Sequence, residues 1–340
     1  MAMNFKKFSM FSAAAALSLA LAACGSDDDA KDTNTSGDAN KDEANTAETY
    51  KIGVTQFVTH PSLDEATKGF KAALEEAGLD VEYVDKNANG EQPNAQSIAQ
   101  ELVSSDVDLI FANATPSAQA VAGATKDIPI VFTSVTDAVS AELIASMEAP
   151  GGNVTGTVDL HPDTIANTVD FLVKELGAKK VGTVYNTGEQ NSVVQIAAVK
   201  EALEAAGVEL VEAAVSTSAE VKTAAESLVG KVDSFYIITD NTVVSALESV
   251  VDVANTNKLP MMVGELDSVE RGGLGAFGFS YYDIGFEAGQ KAIEILKDGK
   301  NAGDIPATYP ANLKLTINQK TLDNLGLELK PAWEADVIGQ

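Results

Sequence analysis

Three observations predict an α/β fold of two doubly wound parallel-sheet lobes joined by a multi-strand hinge. The first is repetition. Lys51-Ile52-Gly53-Val54, with a helix ending Lys71-Ala72-Ala73-Leu74-Glu75-Glu76-Ala77-Gly78, returns as Lys180-Val181-Gly182-Thr183 and Lys200-Glu201-Ala202-Leu203-Glu204-Ala205-Ala206-Gly207. Val107-Asp108-Leu109-Ile110-Phe111 returns as Val232-Asp233-Ser234-Phe235-Tyr236, and Ile128-Pro129-Ile130-Val131 as Leu259-Pro260-Met261-Met262. The second is alternation of short β-rich runs with helical stretches, the signature of a parallel sheet covered on both faces. The third is strand composition: Leu109-Ile110-Phe111-Ala112 and Ile130-Val131-Phe132 are unbroken apolar runs, as expected of strands buried on both sides.

The elements follow in order. The first repeat reads as strand Lys51 to Phe57, helix Ser62 to Ala77, strand Val81 to Val84, helix Asn94 to Ser104, strand Leu109 to Ala112, helix Pro116 to Thr125 and strand Ile130 to Thr133. Pro61, Pro93 and Pro116 stand where a first-turn proline is tolerated, and Gly78 where a left-handed C-cap is wanted. Pro150 to Gly156 reads as a turn-rich passage leading to a first crossover at Thr157-Val158-Asp159. The second repeat reads as strands Val181 to Tyr185, Leu210 to Ala213, Phe235 to Ile238 and Met261 to Val263, with helices Ser192 to Ala206, Ala219 to Val229 and Val243 to Asn257. After Gly275 to Ser280 the chain is expected to return to lobe one for helix Asp283 to Leu296, then recross for a strand around Leu313 to Ile317. The expected domains are residues 1–23, a signal; 24–49, a tether; 50–158 with 282–300, lobe one; and 159–281 with 301–340, lobe two.

The N-terminal stretch has a basic start at Lys6 and Lys7, a short apolar run and Leu21-Ala22-Ala23-Cys24. Its apolar core is shorter than the ~20 residues a bilayer crossing needs, so it reads as a secretion signal. Leu-Ala-Ala-Cys resembles a bacterial lipobox, which implies that Cys24 carries lipid and becomes the mature N-terminus. Cys24 is the sole cysteine, which excludes disulfides within the chain and cysteine-rich metal sites. From Gly25 to Thr49 nothing can pack a core, so a flexible lipidated tether is expected. Processing removes two lysines and no acid from a chain of formal net charge −27. Such an acidic surface does not seek nucleic acid or an anionic membrane.

Two similar lobes put matching strand ends face to face, and ligands of open α/β sheets bind beyond those ends. Lobe one offers Gln56 and Phe57, then Asn113, Thr115 and Ser117, then Thr133, Ser134, Thr136 and Asp137. Lobe two offers Tyr185 and Asn186, then Thr239, Asp240 and Asn241, then Glu265 and Asp267. Hydroxyls and helix-start N–H groups favour a carboxylate; acids favour an ammonium; a zwitterion would span them. The protein has a single arginine, Arg271, and no lysine in these segments, so a clamp for phosphate or a second carboxylate is lacking. Phe57, Tyr185 and Tyr281 either line an apolar pocket or pack at strand ends. Asp240-Asn241-Thr242 either binds an ammonium or caps a helix. Ser62 and Asp64 read as first-turn residues, and neither His60 nor His161, each before a proline, is expected to hold metal or catalyse.

Gly53 to Phe57 with His60-Pro61-Ser62-Leu63-Asp64 is similar to the opening of the ABC-transporter substrate-binding lipoproteins of tryptophan/tyrosine type. Ala114 to Gln119, Pro129 to Asp137, Pro150 to Gly156, Thr239-Asp240-Asn241-Thr242 and Tyr281-Tyr282-Asp283-Ile284-Gly285 resemble that family too. The resemblance runs from about Lys51 to about Asn318. It implies a type I periplasmic-binding fold and delivery of a small solute, often an aromatic amino acid, to an ABC permease. The receptor is expected to act as a monomer held at the cell membrane by its lipid alone, with no cofactor, metal, catalytic residue or nucleic-acid partner. Alternatives are a nucleoside or sugar as ligand, or a sensor subunit. A racemase or lyase fits poorly, since such racemases use a cysteine pair. A repressor relative would need a basic helix-turn-helix where the signal stands.

Overall fold

The structure, a computed structural model, describes residues 49–340; the expected signal, Cys24 and the expected tether up to residue 48 lie outside the described residues. The first half contains β1 (Thr49–Gln56), α1 (Pro61–Glu76), β2 (Asp80–Asn87), α2 (Gln92–Val103), β3 (Leu109–Asn113), α3 (Thr115–Ala124), β4 (Ile130–Val135) and β5 (Val154–Val158). Its sheet is parallel throughout, in the order β2-β1-β3-β4-β5. There follow α4 (Thr164–Asp170), β6 (Lys180–Asn186), α5 (Gln190–Ala205), β7 (Glu209–Val215), α6 (Val221–Leu228), β8 (Ser234–Ile237) and α7 (Asn241–Val244). The rest is α8 (Leu247–Thr256), β9 (Met261–Val263), α9 (Leu266–Glu270), β10 (Gly275–Gly278), α10 (Tyr281–Leu296), β11 (Lys314–Asn318), α11 (Gln319–Leu325) and β12 (Asp336–Ile338).

The second sheet runs β12-β11-β10-β9-β8-β6-β7. Its portion β7-β6-β8-β9-β10 repeats the order of the first sheet, which is what the duplicated sequence required. β11 lies antiparallel on β10, and β12 parallel on β11, so the predicted parallel sheet carries an antiparallel addition.

The structure departs from the sequence expectation in several passages. Pro150 to Gly156 was read as turns, yet β5 is a fully buried strand. Its glycine is required by packing: a Cβ on Gly156 would lie 2.1 Å from the Phe132 carbonyl oxygen. The expected helix Val243 to Asn257 is broken at Ser245-Ala246 into α7 and α8. α4, which runs into a wide helical turn over 171–175, and the short strand β12 had no counterpart in the reading. β2 extends past Val84 through Asp85-Lys86-Asn87, residues that an edge strand tolerates because one side stays in water.

Each sheet is covered on both faces. In the first half Phe70 of α1 stacks on Phe111 of β3 with ring centroids 3.9 Å apart, in a cluster with Ile52, Val54, Leu109 and Val131. α10 belongs to this half: it lies on β4, β5 and α1. It meets α1 backbone to backbone, since a Cβ on Gly69 would sit 2.0 Å from the Tyr282 carbonyl oxygen and one on Gly285 1.9 Å from that of Ala66. The chain therefore passes between the sheets after β5, before α10 and before β11. The last span is tied to β5 by the Thr157–Thr308 bridge and by Thr155 Oγ1 donating to the Ile305 carbonyl at 2.7 Å.

Candidate functional site

The carboxyl ends of both sheets converge on one internal space. It is lined by His60, Leu63, Ser134, Thr136 and Asp159, and by Asn191, Thr239, Asn241, Val244, Glu265 and Tyr281. It encloses about 270 Å3 between atoms, of which only about 10 Å3 accommodates the centre of a water molecule. That is room for about one water. The halves are shut on each other, and a larger guest requires them to part. Gln195 Nε2 of α5 donates to Thr136 Oγ1 at 3.0 Å across the gap, and Ser62 Oγ of α1 donates to Glu265.

Local sequence explains how each wall is presented. β4 is irregular between Phe132 and Val135, and Ser134 there takes a left-handed backbone (φ 55°). Its buried hydroxyl has no partner in the protein. Asp159 follows β5 and accepts from Tyr281 Oη at 2.7 Å and Thr136 Oγ1 at 3.3 Å. Glu265 caps α9, accepting from the Ser268 amide. Asn241 is held by Glu189, a buried carboxylate just before α5 that accepts from Asn241 Nδ2 at 2.6 Å and from the Thr242 amide at 3.0 Å.

The electrostatics are one-sided. Asp159 and Glu265 are buried, and no lysine or arginine is among the lining residues. Burial pushes the Asp159 carboxyl up to about 6, against the hydrogen bonds from Tyr281 and Thr136. Burial, with the neighbouring Asp267, raises Glu265 as well. Arg271 lies close enough to act on Glu265 but is engaged in a bidentate pair with Glu248 at 2.8 and 2.9 Å. Burial, reinforced by Arg271, drops His60 to about 3, so its ring is neutral.

Of the residues singled out from sequence, Ser134, Thr136, Asn241, Glu265 and Tyr281 meet at this space, as does Thr239. Asp267 stands beside Glu265 and Ser62. The others point elsewhere. Gln56 binds Asp64 and the Val58 carbonyl and faces an outer groove with Lys68, Lys71 and Tyr282. Phe57 packs in the core of the first half. Thr115 is buried at the start of α3, and Ser117 faces Thr55 at 3.5 Å. Asp137 caps its own turn through the Val139 and Ser140 amides.

Tyr185 turns toward β7, donating to Glu212 at 2.8 Å. The Asn186 amide donates to Asp240 at 2.6 Å. Asp240 is wholly buried, caps α7 through the Val243 amide and also accepts from Ser192. Asp159, Asn191 and Glu189 were not anticipated. Asp159 would have been flagged had β5 been recognised, because it then sits at a strand end. Asn191 and Glu189 occupy the first turn after β6, the counterpart of His60-Pro61-Ser62 after β1.

The family model for ABC transporter substrate binding proteins matches residues 51–333. A Clostridioides difficile relative described as a tyrosine-binding protein is 46% identical over 282 residues, covering 82% of this chain and 81% of the relative. A Streptococcus pneumonia ABC domain solved in complex with L-Trp is 31% identical, with a TM-score of 0.80, covering 86% of this chain and 100% of that one. A substrate-binding protein with adhesive properties from Clostridium difficile, solved ligand-free and open, is 39% identical and covers 85% of this chain and 99% of its own, yet superposes at a TM-score of only 0.63. Higher identity with poorer superposition means that the shut arrangement here is nearer to the L-Trp complex than to the open form. The duplicated sheets are those of the type I periplasmic-binding fold, whose members in this family bind solutes rather than transform them. The chain belongs to the ABC transporter substrate-binding protein family.

Proposed function

We propose that the protein is an extracytoplasmic receptor, anchored to the cell membrane by lipid on Cys24, that binds a zwitterionic aromatic amino acid and hands it to an ABC permease. The observation that carries this reading is the pair of buried carboxylates, Asp159 and Glu265, at a space whose lining includes no cation. An ammonium group supplies the missing charge, and a charged partner in a dry site is worth far more than one in water. Ser134 Oγ offers a hydroxyl to a carboxylate; Leu63, Val244 and Tyr281 offer apolar surface to a ring. The naming of one relative for tyrosine and the solution of another with L-Trp support the ligand class.

In this reading residues 50–158 with 282–308 form one jaw and residues 159–281 with 309–340 the other; the expected boundary at 300 moves because Ile305 and Thr308 lie against β5. They part to admit the solute and close on it, and the shut shape is what the permease recognises.

Thermal unfolding of the mature protein tests the ligand. Tyrosine or tryptophan at about a hundred times its dissociation constant adds about 2.7 kcal/mol, raising the melting temperature by roughly 5–10 °C. A rise with a sugar or nucleoside and none with aromatic amino acids refutes the assignment. The anchor is tested separately: Cys24→Ser should move the protein from the detergent phase to the aqueous phase, and continued retention in detergent argues against lipidation.

A further inference from the structure

His60 precedes the first-turn proline of α1 in extended backbone (φ −158°, ψ 159°), the conformation a residue before proline prefers. Backbone geometry explains its position but not its side chain. His60 is 7% exposed and lines the internal space, and its Nδ1 has no hydrogen-bond partner among the described residues. A buried polar atom left unpaired is costly and asks for a reason.

The surroundings decide what this ring can offer. A neutral imidazole carries one N–H and one acceptor nitrogen. The Asn241 side chain lies near enough to the imidazole to favour its protonated form, which means its oxygen faces the ring. The Asn241 amide nitrogen is committed to Glu189 Oε2 at 2.6 Å, which leaves that oxygen for the ring's N–H. Nδ1 is left as the acceptor. Asn191 repeats the arrangement: its Nδ2 donates toward Glu189, Ser192 and the Thr239 carbonyl at 3.3 Å each, while its buried Oδ1 has no partner. Together with Asp159 and Glu265, the lining is therefore rich in acceptors and poor in donors. One ammonium is enough for the two carboxylates but does not account for a neutral acceptor in a partly apolar setting. Leu63 and Val244, three positions beyond His60 and Asn241, line the same space.

We propose that His60 is a specificity-determining residue of this cleft, its Nδ1 accepting a hydrogen bond from the donor that the ligand carries on its aromatic ring. This deepens the assignment above and rests on it. A phenol O–H and an indole N–H are such donors, whereas a phenyl ring has none. A site built around a hydrogen bond rejects the analogue lacking it, because the buried partner is then left bare. The receptor accordingly prefers tyrosine or tryptophan to phenylalanine, and Glu189, through Asn241, is the positioning residue that keeps the ring in the accepting form.

The test is isothermal titration of the mature protein with L-tyrosine, L-tryptophan and L-phenylalanine, for wild type, His60→Leu and His60→Gln. The wild type should bind tyrosine or tryptophan at least about tenfold tighter than phenylalanine. His60→Leu should lose about ten- to a hundredfold for the preferred ligand while phenylalanine affinity stays within about threefold, and His60→Gln, which retains an acceptor, should recover part of the preference. A packing defect moves all three affinities together, so the ratio separates recognition from damage. Equal loss for all three, or a wild type without preference, overturns the role of His60 and leaves the amino-acid assignment standing. If no aromatic amino acid binds the wild type, both fall.

Discussion

Asp159→Asn should weaken binding of the aromatic amino acid by about thirtyfold to several thousandfold, the usual cost of about 2–5 kcal/mol for stripping one partner from a buried charge pair. In the shut arrangement without ligand, the same change should stabilise the fold. Asp159 in the shut form holds its proton up to about pH 6, against an ordinary value of 3.8. Between these two values the folded state keeps a proton that the unfolded state has released, so the wild type loses stability as pH rises through the window. Asparagine removes that dependence. The variant's melting temperature should match the wild type's near pH 4 and exceed it above pH 6 by an amount worth on the order of 2–3 kcal/mol. Titration calorimetry and unfolding scans at both pH values check the pair of effects. A variant that binds normally would remove Asp159 from the site, and one destabilised at every pH would make it a structural residue.

Gly285→Val should lower the melting temperature by roughly 2–5 °C or more. A side chain at this position must begin within 1.9 Å of the Ala66 carbonyl, a separation that no rotamer relieves, so α10 must lift from α1. Overpacking of this kind costs about 1–3 kcal/mol and more where backbone is the obstacle, and the shift follows from the entropy of unfolding for a domain of this size. Gly123→Ala is the control, because a Cβ there meets nothing within 4 Å. Equal melting temperatures for Gly285→Val and wild type would show that the helices do not meet as described.

The likeness of the two sheets was legible because duplication reports it directly: once two stretches share the pattern of Lys51-Ile52-Gly53-Val54, one half predicts the other. Buried strands such as β3 announced themselves by the unbroken apolar run Leu109-Ile110-Phe111-Ala112. β5 did not, because Val154-Thr155-Gly156-Thr157-Val158 takes its strand character from the neighbour beside it; only the Phe132 ring and carbonyl explain why glycine belongs there. The same blind spot hid Asp159.

Within the cleft, residue type did not say which acids face the gap. Asp240 and Glu265 look alike as acids that follow a strand. Yet Asp240 is consumed by the Val243 and Asn186 amides and Ser192, while Glu265 reaches the gap. Tyr185 was equally open to two readings, and its bond to Glu212 turns it toward the sheet edge. Which way a side chain faces at a strand end depends on the register of the next turn, and a pattern of residue types does not carry that.

The position of α10 bears on how the molecule is made. The helix that covers β4, β5 and α1 is encoded after the whole central portion of the second sheet. A polypeptide emerging N-terminus first can lay down all five strands of its first sheet and still leave one flank, the Gly69 and Phe70 side of α1, bare until residue 296 is available. Contacts between segments so distant along the chain form slowly and expose sticky surface in the meantime. Early folding of the N-terminal half is thereby discouraged, and maturation waits for nearly the entire polypeptide.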